Sequence, residues 1–87
     1  MTSRGVFAIS VAADLVSMEI QNLRVYERRG LLEPARTPGG TRLYSEDDLE
    51  RLRRIGELLA DGLNLAGIHR VLVLEDEVRR LGGRVPD

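Results

Sequence analysis

The chain has 87 residues, a net charge of −1, 31% charged residues and no cysteine. This length allows one domain, and the lack of cysteine excludes disulfides and thiolate metal sites. His69 has no second ligand at a metal-site spacing, no apolar run approaches the ~20 residues that span a bilayer, and the N-terminal pattern is not that of a signal peptide. We therefore expect a cytoplasmic protein with no metal or cofactor and no membrane contact.

The charges are unevenly distributed along the chain. Five arginines and two glutamates lie between residues 24 and 45, whereas four acidic residues follow between residues 46 and 50. All thirteen basic residues are arginine, and the guanidinium group suits bidentate contacts with phosphate or carboxylate. Genomic base composition is another explanation for the arginine bias. The middle of the chain is locally basic despite the overall charge.

The N-terminal third of the chain is predicted to form two short helices. Residues 1–5 are expected to be a loose arm, and Ser10 is expected to cap a first helix that runs through Val16. Its apolar stripe is predicted at Val11, Ala12, Leu15 and Val16. The second helix begins at about Glu19 and ends at Gly30. Two short helices joined this tightly predict a helix-turn-helix, in which one face of the second helix stays free.

The free face of the second helix can be predicted from its spacing. Ile20 and Leu23 are expected to face the core, together with the stem of Glu27. The outward positions carry amide and guanidinium groups at Gln21, Asn22, Arg24, Arg28 and Arg29. Side chains of these types contact base edges and phosphates, although a solvated helix face would also account for them.

The stretch ARTPGGTRLYS predicts a β-hairpin, because proline followed by glycine favours chain reversal. Alternation along the second arm puts Leu43 on the inner side and both Arg42 and Tyr44 on the outer side. The glycines do not have the spacing of a nucleotide-binding loop. Since the chain also offers neither paired acids in a pocket nor a nucleophile with a base, we expect no enzymatic activity.

Two further helices are predicted in the C-terminal half. Ser45 and Asp48 form a capping box that begins a helix running to about Ala60. Its buried stripe is predicted at Leu49, Leu52, Ile55, Leu58 and Leu59. Asn64 caps the last helix, which ends at Gly82. No catalytic role is needed to explain the acidic cluster that follows the hairpin.

The last helix carries a hydrophobic seam after Leu65 and Ile68, which are expected to join the core. The seam has the a/d spacing of a coiled coil and consists of Val71, Leu74, Val78 and Leu81. We expect it to form a homodimer interface, and its short length indicates a dimer that is either weak or dependent on extra contacts. Packing against its own domain and pairing with a different chain are the alternatives.

The order of these segments resembles the DNA-binding domain of MerR-family transcription regulators. The resemblance is carried by LRVYERRGLLEP, RTPGGTRLYSEDDLERL and LNLAGIHRVL, and FAISVAADL and GLNLAGI are similar to the heat-shock repressor (HspR) branch. It implies a mainly α fold, a winged helix-turn-helix with a short β-hairpin wing and a C-terminal dimerisation helix. The predicted ranges are an arm at 1–9, the DNA-binding domain at 10–62, the C-terminal helix at 63–83 and a tail at 84–87.

The resemblance also implies a function. It predicts a transcriptional regulator, with repression expected, that binds a pseudo-palindromic promoter site in double-stranded DNA as a homodimer and distorts it, so that sequence is sensed through deformability. Carried over by position, the recognition-helix contacts fall on Gln21, Asn22, Arg24 and Tyr26. The wing contacts fall on Arg36, Arg42 and Tyr44.

Two rival functions remain open from the sequence. An excisionase-like factor that bends DNA would share the winged architecture, and a protein-interaction module would use the seam with a different partner. Many family members carry an effector domain or a cysteine metal loop after the dimerisation helix, whereas here only residues 84–87 follow Gly83. A DNA-binding fragment and a small regulator that acts with a protein co-regulator are both compatible with this pattern.

Overall fold

The computed structural model describes residues 4–84. Within this range the order of elements is α1 (Ile9–Leu15), α2 (Ile20–Arg28), β1 (Ala35–Arg36), β2 (Arg42–Leu43), α3 (Glu46–Ala60) and α4 (Leu65–Arg80). The mainly helical fold with a two-stranded antiparallel hairpin is the one predicted. Of the predicted arm and tail, residues 1–3 and 85–87 lie outside the described residues.

Helix α1 begins earlier than predicted. Its N-cap is Ala8, whose extended backbone precedes the first turn and whose carbonyl accepts a hydrogen bond from the amide of Ala12 at 2.9 Å. Ser10 lies inside the helix and makes no cap, so that prediction is wrong. Two small residues, Ala12 and Ala13, face the core where α1 packs against α2, and the predicted stripe residues Val11 and Leu15 are exposed.

Helix α2 follows after a turn in which Ser17 adopts a left-handed backbone with φ of 55°. Leu23 and Tyr26 are its buried residues, and they share one face because they are three positions apart. Ile20 in the first turn is 36% exposed, so its predicted place in the core is wrong. After the helix, Gly30 has φ of +76°, which confirms the predicted glycine end.

The hairpin of β1 and β2, residues 35–43, is called the wing. Ala35 pairs with Leu43 and Arg36 pairs with Arg42. The reversal is closed by hydrogen bonds from the Thr37 amide to the Thr41 carbonyl and from the Gly40 amide to the Thr37 carbonyl, both 2.8 Å long. Gly40 has φ of +88°, a conformation that glycine adopts without a steric cost.

The segment before α1 is tied to the C-terminal end of the wing. Phe7 and Tyr44 form an antiparallel bridge, with the Tyr44 amide donating to the Phe7 carbonyl at 2.7 Å and the Phe7 amide donating to the Tyr44 carbonyl at 2.9 Å. Gly5 lies so close to Leu43 that a β-carbon there would be 2.6 Å from its carbonyl oxygen. The loose arm predicted for residues 1–5 is therefore followed immediately by ordered pairing.

Helices α3 and α4 begin where the sequence predicted. The Ser45 side chain accepts from the Asp48 amide and the Asp48 carboxylate accepts from the Ser45 amide, which confirms the capping box. The Asn64 side chain accepts from the Gly67 amide at 2.8 Å. Leu59 is 38% exposed, so its predicted burial is wrong; it lies one position past Leu58 and outside the stripe.

A single apolar cluster holds these elements together. It combines the buried residues of all four helices with the two leucines after α2 and with Tyr44 after the wing. The fully buried side chains include Leu23, Leu31, Leu49, Leu52, Ile55, Ile68 and Leu72. Because Tyr44 directly follows the wing and lies in the same cluster as residues of α2, the C-terminal end of the wing is held close to that helix.

Candidate nucleic-acid interface

The outward face of α2 presents the predicted polar side chains. Gln21, Asn22 and Arg24 are exposed, as are Arg28 and Arg29 near the end of the helix. These three arginines form no ion pair with any residue between 4 and 84. Their guanidinium groups are therefore available to a phosphate without first giving up a carboxylate.

The two tyrosines predicted from the resemblance are not at the surface. Tyr26 is 6% exposed because it shares the inner face of α2 with Leu23, and Tyr44 is 0% exposed. Tyr44 belongs to the apolar core cluster, together with Leu23 and Tyr26 of α2. The prediction that Tyr44 faces outward is wrong for this reason, and burial raises the pKa of both phenols.

The two wing arginines share one carboxylate of α2. The Nη2 atom of Arg36 donates to Oε1 of Glu27 at 2.5 Å, and the Nε atom of Arg42 donates to Oε2 of the same residue. The Glu27 side chain is only 15% exposed, whereas Arg36 is 46% exposed and Arg42 is 30% exposed. The bond to Glu27 raises the pKa of Arg42.

Glu27 also fixes where the wing lies against α2. Both wing arginines contact the side of the helix that carries Glu27. Along the helix, Arg24 lies three residues before Glu27 and Arg28 lies directly after it. The paired arginines of the wing thus contact the same helix that carries the unpaired arginines.

The arginines of α3 have a different environment. Arg51 donates to the Leu31 carbonyl and contacts Asp76 at 3.1 Å, and Arg54 donates from Nη2 to Glu75 at 2.7 Å. Arg54 also pairs with Glu57 at 3.2 Å. These guanidinium groups fasten α3 to α4 and to the chain after α2, so they are structural.

The predicted dimer seam is largely exposed on α4. Leu74 is 64% exposed, Leu81 is 71% exposed and Val78 is 39% exposed, whereas Val71 packs in part against the core. The opposite face of the helix, with Ile68, Leu72 and Glu75, is buried. Val73 is exposed beside the seam and widens it, which the a/d spacing did not indicate.

Glu27 is the site residue that sequence reasoning missed. It was counted as one of two acids that reduce a local positive charge, with its stem toward the core. Its partners lie nine and fifteen positions further along the chain, so helical spacing could not reveal them. The one available signal was a glutamate on the inner side of a helix that is followed by an arginine-rich hairpin.

The described residues give no sign of other chemistry. No group of three or more potential ligands is placed to hold a metal ion within residues 4–84, and none of the helices described there is long and apolar enough to cross a membrane. A helix-turn-helix beside an arginine-bearing hairpin defines the class of winged helix-turn-helix domains.

Comparison with known proteins gives the family. Residues 7–74 match the family of MerR HTH family regulatory proteins, and the chain belongs to this family. The putative heat shock protein HspR of Streptomyces coelicolor is 47% identical over 83 residues, which are 94% of this chain and 55% of that protein. The resemblance to MerR regulators and to the HspR branch is confirmed.

Solved structures agree with this assignment. A transcription regulator of Ralstonia metallidurans in complex with lead(II) matches with a TM-score of 0.79 and 37% identity, over 83% of this chain and 57% of that one. HiNmlR, a MerR family regulator lacking the sensor domain and bound to promoter DNA, matches with a TM-score of 0.71 and 27% identity, over 76% of this chain and 53% of that one. The chain spans little more than half the length of these relatives.

Proposed function

We propose that the chain is a sequence-specific DNA-binding transcriptional regulator that acts in the cytoplasm on a promoter site. The observation that carries this proposal is the set of arginines on α2 without carboxylate partners among residues 4–84, on the helix whose Glu27 binds both arginines of the wing. Gln21, Asn22 and Arg24 supply amide and guanidinium donors on the exposed face of a second helix in a helix-turn-helix. That is the position from which such folds contact the major groove.

The wing extends the proposed contact surface. Arg36 and Arg42 would hold the phosphate backbone beside the groove, and backbone contacts of this kind set the register of a protein on the duplex. HiNmlR, which shares this fold, is bound to promoter DNA, and this supports the same use of the surface here. Tyr26 and Tyr44 have core positions and are not part of the proposed contact surface.

The test is the salt dependence of binding to a duplex from the region upstream of the chain's own gene, measured by fluorescence anisotropy. Arg24→Ala should weaken binding about tenfold and make the slope of log affinity against log salt shallower by about 0.9, the value for one lost phosphate contact. Arg79→Ala is the matched control, because it removes the same charge from the last turn of α4. Equal losses for both variants, or no binding at low salt, would refute the proposal.

A homodimer through α4 is the proposed form that binds a pseudo-palindromic site. Leu74, Val78 and Leu81 are exposed on the helix face away from the core, and their a/d spacing suits pairing with a second copy. Leu74→Glu should produce monomers in sedimentation analysis with the fold intact. Val11→Glu is the control, because Val11 is also exposed but lies on α1; a Leu74→Glu protein that stays dimeric would rule this interface out.

Repression is the proposed direction of regulation, by analogy with the heat-shock repressor branch that the sequence resembles. A reporter fused to the bound promoter should be more active when the gene is deleted, and restored expression of the chain should lower it again. Lower reporter activity after deletion would identify an activator instead.

A further inference from the structure

Glu27 occupies the position that a phosphate would be expected to take between the wing arginines. Its Oε1 atom accepts from Arg36 and its Oε2 atom accepts from Arg42. One anion therefore uses both of its oxygens on two guanidinium groups, as a phosphate of the DNA backbone can. With 15% of its side chain exposed, Glu27 contacts the two arginines from the α2 side.

The wing needs an anion at this position even without DNA. Arg36 and Arg42 are directly opposite each other in the hairpin, and like charges in that arrangement are destabilising. Arg36 also donates from Nη1 to the Gly40 carbonyl at 3.2 Å, so its planar group joins the wing tip to α2. A carboxylate between the two arginines removes their repulsion and holds both side chains in one orientation.

The same contact works against binding to any phosphate. A phosphate that takes Arg36 or Arg42 must compete with Glu27, which lies between them and carries a negative charge of its own. The arginines of α2, by contrast, have no carboxylate partner within the described chain. Contacts made by α2 are therefore free of this competition, whereas contacts made by the wing are opposed by Glu27.

We propose that Glu27 is a specificity-determining residue that stands in for a phosphate in the free protein and limits wing contacts with non-specific DNA. The inference rests on the proposed DNA-binding function. On a site where α2 is correctly seated, the phosphates are held close enough to displace the carboxylate from the wing arginines. On a random duplex the phosphates are not held this close, and the Glu27 carboxylate stays bonded to both wing arginines.

The experiment compares Glu27→Gln with wild type on a random-sequence duplex and on a duplex selected in vitro with the wild-type protein. Glu27→Gln should bind the random duplex about three- to tenfold more tightly, with a salt slope steeper by about 0.9. Its affinity for the selected duplex should change less. The ratio of the affinity for the selected duplex to the affinity for the random duplex should therefore fall. Glu27→Asp keeps the charge and should restore most of that ratio.

Glu33→Gln is the matched control, because it removes one negative charge from an exposed glutamate near the wing that makes no ion pair with residues 4–84. If Glu33→Gln has the same effect, or Glu27→Gln weakens binding to the random duplex, the inference is wrong. If the wild type binds neither duplex, the proposed function itself fails.

A second measurement does not depend on a variant that folds. In an NMR spectrum of the wild type, the Nε–H signal of Arg42 should shift when the selected duplex is added, because Glu27 leaves it. The Nε–H signal of Arg54, which donates to Glu75, should stay in place. An Arg42 signal that is unchanged at saturation would show that Glu27 is never displaced.

Discussion

The two ends of the molecule use the same residue type for different purposes. Around α3 and α4, Arg51 and Arg54 face acidic partners on α4, and Glu75 contacts Arg54 through both of its oxygens. Around α2 and the wing, Arg36 and Arg42 share the carboxylate of Glu27, whereas the other three arginines there form no ion pair with residues 4–84. Arginine content alone therefore says little about nucleic-acid binding, whereas the carboxylate partners of each guanidinium group distinguish the paired arginines from the unpaired ones of α2.

The largest effect on stability is expected from the α3–α4 end. Glu75→Ala leaves Arg54 without its main partner, and since Glu75 is 11% exposed and Arg54 is 27% exposed, the unfolding free energy should fall by about 2 kcal/mol. Urea denaturation measures this change. The DNA salt slope should be unaffected below the melting temperature.

Glu77→Ala is the control for that prediction. Glu77 pairs with Arg80 on the exposed part of α4, where ion pairs are screened by solvent, so its urea midpoint should match the wild type. Equal urea midpoints for Glu75→Ala and wild type would show that the ion pairs of Arg54 do not stabilise the fold, and the contrast with the arginines around α2 and the wing would then fail.

A smaller effect is expected at the junction of the two regions. Ser45 caps α3 directly after the wing, and Ser45→Ala should lower the unfolding free energy by about 1 kcal/mol. Ser45→Asp should retain the cap, because an aspartate at this position also accepts from the first turn. Thermal melting compares the two variants, and identical losses would show that size rather than capping matters in this 7% exposed position.

The smallest effect is expected from the buried phenol of the wing region. The Tyr44 hydroxyl is buried and has no hydrogen-bond partner among the described residues. Because an unpaired buried hydroxyl is costly, Tyr44→Phe should raise the unfolding free energy, by up to about 1 kcal/mol. DNA affinity should be unchanged, since Tyr44 is not part of the proposed contact surface. A loss of stability in Tyr44→Phe would show that the hydroxyl is bonded after all.

The sequence predicted best what depends on neighbouring residues. The caps at Ser45 and Asn64 and the helix end at Gly30 are local features, because each involves backbone groups within a few positions. The exposed polar face of α2 followed from helical periodicity. The choice of Ser10 as a cap failed because pairing of the preceding Phe7 with Tyr44 sets where α1 begins.

What the sequence missed depends on contacts between distant segments. Alternation along the second arm could not show that Tyr44 packs into the core cluster with residues of α2. The pairing of Glu27 with both wing arginines also could not be predicted without knowing how α2 lies against the wing. Each of these errors concerns one interface, that between α2 and the wing, which no periodic pattern in either segment describes.

The bridge between Phe7 and Tyr44 has a consequence for the mechanics of the wing. Strand β2 pairs with β1, and Tyr44, the residue directly after the wing, exchanges backbone hydrogen bonds with residues 6 and 7. Exposed strand edges are templates for pairing with other chains, and the bonds to residues 6 and 7 occupy the backbone groups of Tyr44 at the end of this arm. The base of the hairpin is therefore braced by residues 6 and 7, which lead directly into α1, and it continues into Ser45, which caps α3.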